Sequence, residues 1–334
     1  MTEPGQHISE PITLAYAKCA EIVRARARNF YYGLRLTPEP KRSAIYSVYA
    51  WMRQADDEAD AAGDPAEKKA RLAAYRSRTE QVISSGRSTN MQGDYVWTAL
   101  AETIRAFRVD PSHLRSMLDG LDTDIDHESR AASGTDGKPT FLCRSRSDLE
   151  QYCFRVASTV GLICITIWGL KPGVDEAVAR RLAIQRGLAF QMTNILRDFA
   201  PDFDEGRVYL AEEDFRASGI TPDELRHWSD APSCRAFVKR LSSWTRTQYV
   251  ESSPLDHMID PGCYATLRTM TRIYSGLLTV IETDPARIAG RKRIRLQSMH
   301  KAGIALRACA RAWVNQHVSA SSSLYAVLTP AARR

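Results

Sequence analysis

The sequence predicts an all-α protein built as a single helical bundle. Apolar residues recur at three- and four-residue spacing through most of the chain, and the alternating pattern of β-strands is nearly absent. Hydrophobic residues make up 44% of the 334 positions, which is ordinary for a folded chain with a buried core. No linker divides the chain. We therefore expect a lead-in at residues 1–11, one domain over residues 12–318 and a tail at residues 319–334.

Glycine and proline divide the first half of the chain into helical segments. We predict a first helix over residues 12–35, ending near Gly33, and then a turn at Pro38 and Pro40. A strong helix follows over residues 41–62, and Gly63 and Pro65 end it. Further helices are expected over residues 66–84, 96–107 and 111–126.

The second half begins with a predicted loop over residues 128–146, which are rich in Ser, Gly, Thr and Arg. Long helices are expected over residues 148–169 and 175–203, followed by an irregular stretch to about residue 231. The last helices are predicted over residues 234–250, 264–283 and 297–318. The apolar run at residues 156–170 is shorter than the roughly 20 residues of a membrane-spanning helix, so we interpret it as a core helix.

Charge and cysteine content limit the partners and the compartment. Lys and Arg (46) exceed Asp and Glu (39) by seven, which suits anionic ligands or an anionic membrane surface, although solvated basic faces give the same count. The seven cysteines are odd in number and show no CxxC spacing, which disfavours a disulfide framework or a zinc site. The sequence starts without a signal-peptide pattern, so we expect a cytoplasmic protein.

A row of polar side chains crosses an otherwise apolar helix in residues 185–210. Gln191, Asn194, Asp198 and Asp202 recur every three or four residues, so on a helix they share one face. Such a row is costly if it faces a closed core. The segment therefore predicts a helix in a bundle whose polar row faces a cavity.

A second acidic row ends the helix predicted over residues 41–62, where Asp56, Asp57 and Asp60 follow Arg53. Two carboxylates on adjacent turns repel each other by a few tenths of a kcal/mol unless a cation lies between them. Mg²⁺ prefers carboxylate oxygens and keeps coordination positions for phosphate. The two rows together indicate either a magnesium and diphosphate site or two solvated helix faces.

Arginines and tyrosines flank the acidic rows. Guanidinium groups bind phosphate oxygens and also form structural salt bridges. Both roles are open for Arg53, Arg197 and Arg207. The tyrosines that could orient a phosphate, face a cation or simply pack are Tyr49, Tyr152 and Tyr209. The basic run at residues 287–301 fits a solvated helix end, a phosphate contact or an anionic membrane surface. It lacks interleaved aromatic residues, so we do not expect nucleic acid binding.

In five segments the sequence resembles the squalene and phytoene synthases, which join two prenyl diphosphates head to head. The segments are RNFYYGLRLTPEPKRSAIYSVYAWMRQADDEAD, SMLDGLDTDID, YCFRVASTVGLICITIWG, AFQMTNILRDFAPDFDEGRVYL, and IYSGLLTVIE followed by RIRL. They occur in the family's order and span residues 28–301. The resemblance implies the all-α isoprenoid synthase fold with a central cavity. NILRD is most similar to the phytoene synthase and presqualene diphosphate synthase branches.

The resemblance also implies that two aspartate motifs bind magnesium and diphosphate from opposite walls of the cavity. By motif, the magnesium ligands are Asp56, Asp57, Asp60, Asn194, Asp198 and Asp202. The diphosphate-binding set is Arg28, Tyr49, Arg53, Gln191, Arg197, Arg207, Tyr209, Tyr274 and Arg293. The catalytic set is Asp56, Asp60, Asp198, Asp202 and Tyr152. The sequence departs from the family pattern at residues 27–29 and at Ala211, where the family has proline.

The reaction that the resemblance implies begins with loss of diphosphate from one allylic substrate. The double bond of the second substrate attacks the cation, and proton loss closes a cyclopropane. We expect two farnesyl diphosphates as substrates and presqualene diphosphate or a squalene-type product, in hopanoid or carotenoid biosynthesis. The alternative is phytoene from two geranylgeranyl diphosphates, and the alternative of another class is a non-catalytic assembly factor.

Cofactors and partners follow from the same resemblance. Mg²⁺ is the expected cofactor, and NADPH is needed only if the product is reduced to squalene. Prenyl diphosphates are the expected small-molecule partners. Peripheral contact with the inner face of a membrane and contact with downstream pathway enzymes are further expectations.

Overall fold

Helices form most of the protein, as the apolar periodicity predicts. The computed structural model describes residues 10–86, 93–133, 139–290, 292–296, 304–305 and 308, without the side chains of residues 28, 29 and 131–133. The helices of the first half are α1 Glu10–Arg26, α2 Arg28–Leu34, α3 Lys41–Asp60, α4 Pro65–Ser85, α5 Tyr95–Phe107 and α6 Pro111–Ser133. Those of the second half are α7 Arg146–Cys153, α8 Thr159–Trp168, α9 Glu176–Asp204, α10 Glu212–Ser218, α11 Pro222–His227, α12 Ala231–Glu251, α13 Leu255–Met258 and α14 Tyr264–Thr283.

Short irregular elements join these helices. A π-helical segment, Phe154–Ser158, makes one continuous helix of α7 and α8, and two 3₁₀ turns cover Pro261–Cys263 and Pro285–Ala289. Strand β1, Thr140–Phe141, pairs in parallel with β2, Arg207–Val208, and Thr140 lies opposite Arg207. In the described ranges these two-residue strands form the one sheet. The predicted all-α class is therefore confirmed.

Several predicted boundaries were wrong. The helix predicted over residues 12–35 is interrupted at Ala27 and forms α1 and α2. Helix α6 continues to Ser133, into the predicted loop, because Lys68 of α4 forms a 2.7 Å ion pair with Glu128 and His127 bonds to Thr140. The irregular stretch after residue 204 contains α10 and α11. The predicted helix at residues 297–318 lies outside the described residues, apart from three helical positions at 304, 305 and 308.

Helix α4 shows how local sequence sets a boundary. The Asp64 side chain accepts a hydrogen bond from the backbone of Glu67, whose own side chain accepts one from the backbone of Asp64. This capping box satisfies two of the backbone N–H groups that a helix start leaves unpaired. The helix ends at Gly86, which has φ of 62°, a left-handed conformation that glycine adopts without steric cost.

Two clusters of buried apolar side chains form the core. The first cluster lies around α1, α3, α5 and α8, and the second lies around α9, α12 and α14. Phe30 and Phe190 pack against both clusters. The helix Arg146–Trp168 is long and apolar enough to span a membrane, yet 56% of its most apolar window is buried inside the protein. This burial confirms the prediction of a core helix.

Close packing of α9 against the π-helical segment depends on Gly187. A Cβ atom at this position would lie 2.5 Å from the Cα atom of Ser158, closer than real side chains approach a backbone. Glycine therefore allows the two helices to touch beside the cavity described below. The six cysteines in the described residues are buried free thiols, and Cys309 lies outside that part of the chain.

Candidate functional site

A largely apolar cavity lies between α3, α8 and α9. It encloses about 200 Å³, and its lining includes Ile45, Val48 and Met52 of α3, Val160, Cys164 and Trp168 of α8, and Ala183, Gly187 and Phe190 of α9. Polar atoms contribute little to its wall. Gln191 and Asn194 lie at the end nearest the aspartates of α9, and Tyr49 lies on the facing helix. The cavity is therefore apolar along most of its length and polar at the end formed by Gln191 and Asn194, which we call the mouth.

Helix α9 supplies one wall of this mouth. Asn194 donates a 3.4 Å hydrogen bond to Gln191, while the buried Oδ1 atom of Asn194 has no hydrogen-bond partner among the described residues. One turn further, Asp198 accepts hydrogen bonds from Arg197 and from Arg293, whose Nε atom lies 2.6 Å from the Asp198 Oδ1 atom. Asp202 follows after another turn, half-buried. The predicted row thus faces the mouth as one helical stripe.

Helix α3 supplies the second wall, but its aspartates do not all face the same way. Arg53 lies 3.8 Å from Asp56 and 2.6 Å from Asp57. Asp57 also accepts a 2.8 Å hydrogen bond from Arg26, and it borders a polar groove between α1 and α4 that is separate from the apolar cavity. Asp56 and Asp60 are four residues apart and share a face. The structure therefore supports Asp56 and Asp60 as a pair and places Asp57 on another face.

Burial and like charge raise the pKa of two of these carboxyl groups. The pKa of Asp56 rises from 3.8 to about 7, because burial outweighs Arg53 and because Asp60, Asp57 and Asp124 are also acidic. The pKa of Asp202 also rises to about 7, through burial and the neighbouring charge of Asp198. The arginines near Asp56 and Asp202 therefore do not balance the negative charge that these carboxyl groups and their acidic neighbours would carry together.

Asp198 behaves in the opposite way. Burial alone would raise its pKa, but hydrogen bonds from Arg197 and Arg293 outweigh burial and hold the pKa of Asp198 below its ordinary value. Arg197 also bonds to the Tyr274 hydroxyl. The Tyr274 ring lies 4.9 Å from that of Phe190 and 5.1 Å from that of Phe30, at the boundary between mouth and cavity.

A third helix contributes a residue that was not predicted for the site. Asp124 of α6 accepts hydrogen bonds from the Tyr152 hydroxyl, at 3.1 and 3.2 Å, and from Tyr209. Its charge interacts with Asp60 on one wall and with Arg207, which follows α9. The Tyr152 and Tyr209 rings lie 5.4 Å apart. Asp124 thus connects the two acidic walls.

Three polar atoms at the mouth fit a metal-bound anion. In the described residues the buried Nε atoms of Arg53 and Arg207 and the Oδ1 atom of Asn194 make no hydrogen bond. Two free donors and one free acceptor match diphosphate oxygens and a hard cation respectively. Within the described ranges no three His, Cys, Asp or Glu residues already form a metal cluster. The paired carboxylates and Asn194 would therefore bind the cation, and the two arginines would bind the diphosphate that accompanies it.

The structure brings most of the predicted site residues together. Those at the mouth or its walls are Tyr49, Arg53, Asp56, Asp60, Tyr152, Gln191, Asn194, Arg197, Asp198, Asp202, Arg207, Tyr209, Tyr274 and Arg293. Asp57 faces another groove. Arg28 lies in α2, and its side chain is outside the described part of the chain. Their roles in binding and catalysis remain predictions.

Known proteins share this sequence pattern across most of the chain. The model of the family described as squalene/phytoene synthase matches residues 23–300. The phytoene synthases of Mycobacterium bovis and Mycobacterium tuberculosis are each 34% identical over 302 residues, which cover 90% of this chain and 92% of theirs. A 15-cis-phytoene synthase of Synechocystis is 27% identical over 286 residues, covering 83% of this chain and 80% of its own.

Solved structures share the fold. A dehydrosqualene synthase matches with a TM-score of 0.73 and 24% identity, covering 90% of this chain and 99% of its own. A squalene synthase from Alicyclobacillus acidocaldarius matches with a TM-score of 0.68 and 22% identity, covering 83% and 96%. Both are similar in the arrangement of their helices.

Proposed function

The chain belongs to the squalene/phytoene synthase family and is a prenyltransferase of that type, and from its cavity we propose that it condenses two farnesyl diphosphates head to head. The proposed product is presqualene diphosphate or a squalene-type hydrocarbon formed from it. NADPH enters only if that product is reduced. The supporting observation is the depth of the apolar cavity behind the polar mouth.

Helix geometry gives the length of this cavity. On α9 its lining runs from Ala183 to Asn194, and on α3 it begins at Ile45, eleven residues before Asp56. At 1.5 Å of rise per residue, both spans are about 16 Å. Trp168, which is 2% exposed, lies at the end far from the aspartates, where its carbonyl accepts a hydrogen bond from Lys41 at the start of α3.

Prenyl chains can be compared with that length. At about 1.2 Å per bond, an extended farnesyl chain of three isoprene units spans roughly 13 Å and a geranylgeranyl chain of four units spans roughly 18 Å. The farnesyl chain fits a cavity of about 16 Å, and the extended geranylgeranyl chain exceeds it. This comparison supports farnesyl diphosphate as the substrate.

The residues of the mouth would divide the chemistry. Asp56, Asp60, Asn194, Asp198 and Asp202 would hold magnesium, which when bound neutralises diphosphate oxygens and favours departure of that group. Free guanidinium donors would bind the same diphosphate, and these are the Nε atoms of Arg53 and Arg207. The apolar lining excludes water from the carbocation, which would otherwise be hydrolysed.

The second candidate is phytoene synthesis from two geranylgeranyl diphosphates. Its support is that the three sequence relatives reported above are named phytoene synthases. Cytoplasmic location remains a proposal that rests on the cysteine pattern, and peripheral membrane contact remains one that rests on the excess of seven basic residues. Contact with downstream enzymes is a proposal that follows from the family. A non-catalytic assembly factor is disfavoured, because Asp56, Asp60, Asp198 and Asp202 are all present.

Product analysis tests the proposal. Purified protein is incubated with Mg²⁺ and either farnesyl or geranylgeranyl diphosphate, with and without NADPH, and the extract is examined by mass spectrometry. We expect a cyclopropyl diphosphate or squalene-type product from farnesyl diphosphate and much lower turnover with geranylgeranyl diphosphate. Preferred turnover of geranylgeranyl diphosphate to phytoene would establish the second candidate. No diphosphate release from either substrate would refute the enzyme assignment.

A further inference from the structure

Helix α3 ends at Asp60, one of the two aspartates that form its wall of the mouth. The next residue, Ala61, has a ψ angle of 147°, so the backbone leaves the helix in an extended conformation without a left-handed cap. A helix end leaves its last carbonyl groups without backbone donors. Water or a side chain can bond to them, and only a side chain fixes the position of the turn that carries Asp60.

A side chain of the next helix supplies these donors. The Arg71 guanidinium of α4 donates a 3.3 Å hydrogen bond to the carbonyl oxygen of Glu58. It also donates to the carbonyl oxygens of Ala61 and Ala62, at 3.1 and 3.3 Å. The bonded carbonyl groups lie on both sides of Asp60 in the sequence. One planar group therefore ties the last turn of α3 to the start of the loop that follows it.

The packing of α4 against α3 holds Arg71 itself in place. Leu72, the next residue, is fully buried. Tyr75, one turn further along α4, donates a 2.7 Å hydrogen bond to the carbonyl oxygen of Trp51. The indole of Trp51 in turn donates a 3.2 Å hydrogen bond to Thr79. These contacts fix α4 against α3, so the Arg71 guanidinium holds the end of α3 instead of following its motion.

The end of α3 also concentrates negative charge. Its last turn contains Asp57, Glu58 and Asp60 and no basic residue. The partial negative charge of a helix C-terminus adds to that of these carboxylates, and a cation stabilises such an end. Among the described residues Arg71 bonds to carbonyl oxygens and to no carboxylate. It therefore supplies positive charge to this turn and leaves the exposed carboxylate of Asp60 open to another cation.

We infer that Arg71 is a positioning residue, which holds the backbone on both sides of Asp60 so that Asp60 and Asp56 bind the same cation. This inference rests on the proposed function, in which these two aspartates bind magnesium. Asp56 lies one turn inside α3, where helical hydrogen bonds fix its backbone. Asp60 lies at the helix end and has no such support on its C-terminal side. Arg71 touches neither metal nor substrate and acts through the backbone alone.

Arg71→Met tests the hold on the backbone, because methionine keeps an apolar stem and removes the donors. Hydrogen exchange of the backbone amides of residues 57–62 is measured by mass spectrometry with a chelator present, so that no metal contributes. These amides should exchange faster in Arg71→Met than in the wild-type protein, because the last turn of α3 opens more often. The amides of residues 191–202 on α9 should exchange as in the wild type. Unchanged exchange over residues 57–62 would overturn the inference.

Binding of inorganic diphosphate in the presence of Mg²⁺ tests the consequence for the site. Calorimetric titration should give an affinity about tenfold lower for Arg71→Met, the usual effect of removing a group that orients metal ligands. Arg71→Lys should give a smaller loss, because lysine keeps the charge but cannot bond several carbonyl groups at once. It also covers the case that Arg71→Met folds poorly.

Arg78→Met is the matched control on the same helix. The Arg78 guanidinium forms an ion pair with Asp94 and lies 4.7 Å from the centre of the Trp97 ring, so its contacts are with α5 and the residue that precedes it. The variant loses a guanidinium of α4 without touching the end of α3. Its affinity for diphosphate in Mg²⁺ should equal that of the wild-type protein.

A double variant separates positioning of Asp60 from a general loss of stability. Asp60→Asn keeps one oxygen ligand and should weaken binding without abolishing it. Adding Arg71→Met to Asp60→Asn should then lower the affinity by less than about twofold, because residues that act as one unit are not additive. A further loss as large as that of Arg71→Met alone would contradict the inference, since Arg71 would then act by a route other than Asp60.

Failure of the inference and failure of the proposed function give different results. Wild-type protein that binds no diphosphate in Mg²⁺ would refute the proposed function and the inference with it. Wild-type binding together with equal binding by Arg71→Met would refute the inference alone. Both results come from the same set of titrations.

Discussion

Replacing Asp202 by asparagine should make the metal-free protein more stable while removing a residue that the proposed site needs. Burial and the charge of Asp198 raise the pKa of Asp202 from 3.8 to about 7. Between these pH values the folded chain keeps a proton at Asp202 that the unfolded chain has released. Because the folded state then binds more protons, its stability falls as the pH rises from about 4 to about 7.

The magnitude follows from the size of that shift. At about 1.4 kcal/mol per pKa unit, a shift of about 3 units corresponds to an upper value of roughly 4 kcal/mol above pH 7. Asp202 is half-buried, so solvent screening reduces this to about 1 to 2 kcal/mol. An asparagine has no charge to bury. At roughly 2 °C per kcal/mol for a chain of this size, Asp202→Asn should raise the Tm by about 2 to 4 °C at pH 8.

Thermal unfolding followed by circular dichroism, with a chelator present, measures this effect. The gain at pH 8 should shrink by more than half at about pH 5, where the raised pKa keeps most folded molecules protonated at Asp202. Asp204→Asn is the matched control. Asp204 lies two residues away and forms a hydrogen-bonded ion pair with Arg226, at 2.7 and 2.8 Å, so its loss should leave the Tm unchanged or lower.

Magnesium and inorganic diphosphate together should make the wild-type protein more stable than the Asp202→Asn variant. Ligands that bind the folded state raise its stability by an amount set by their concentration and affinity. The wild-type protein should therefore gain more than the Asp202→Asn variant when both ligands are added. A lower Tm for Asp202→Asn at pH 8 in chelator, or a gain that does not depend on pH, would refute the electrostatic account of this carboxylate.

Three further substitutions test the packing that shapes the cavity. Trp168→Ala should lengthen the far end of the cavity and raise turnover of geranylgeranyl relative to farnesyl diphosphate by about tenfold, because one or two methylene groups are worth about 1 to 3 kcal/mol in a pocket. An unchanged turnover ratio in a competition assay would show that Trp168 does not limit chain length. Gly187→Ala should cost about 1 to 3 kcal/mol in urea unfolding, because its Cβ atom would lie 2.5 Å from Ser158; wild-type stability would mean that α9 moves freely. Arg186→Met should cost about 3 kcal/mol in urea unfolding, because it removes the 3.1 Å partner of the buried Asp256 carboxylate and leaves only the 3.5 Å contact from Arg268. The double variant Arg186→Met with Asp256→Leu should recover part of that loss.

Helical periodicity in the sequence was sufficient to place the walls of the site. The spacing of three and four residues put Gln191, Asn194, Asp198 and Asp202 on one face of a long helix, and α9 has that stripe. The same spacing pairs Asp56 with Asp60, but it pairs Asp57 with Arg53 instead, because consecutive residues lie about 100° apart around a helix. Helix geometry alone is therefore enough to separate Asp57 from the other two aspartates.

The role of Asp124 could not be predicted in this way. Asp119, Asp122 and Asp124 are close in the sequence, and their spacing does not indicate which of them bonds to the tyrosines of the site. Arg76 of α4 binds the first two, and tyrosines from distant segments bind the third. Only the packing of α6 between α4 and the helix of Tyr152 makes that choice. The extension of α6 into a predicted loop has the same origin, because the ion pair from Lys68 to Glu128 is a long-range contact.

The central claim is that acidic groups on two separate helices bind one diphosphate through magnesium. Calorimetric titration of the metal-free protein with inorganic diphosphate, with and without Mg²⁺, tests it most directly in the wild type and in the Asp56→Ala, Asp198→Ala and Asp204→Ala variants. We expect binding that requires Mg²⁺, falls at least about tenfold for Asp56→Ala and for Asp198→Ala, and is unchanged for Asp204→Ala. Binding that does not need Mg²⁺, or that survives both wall substitutions, would contradict the claim.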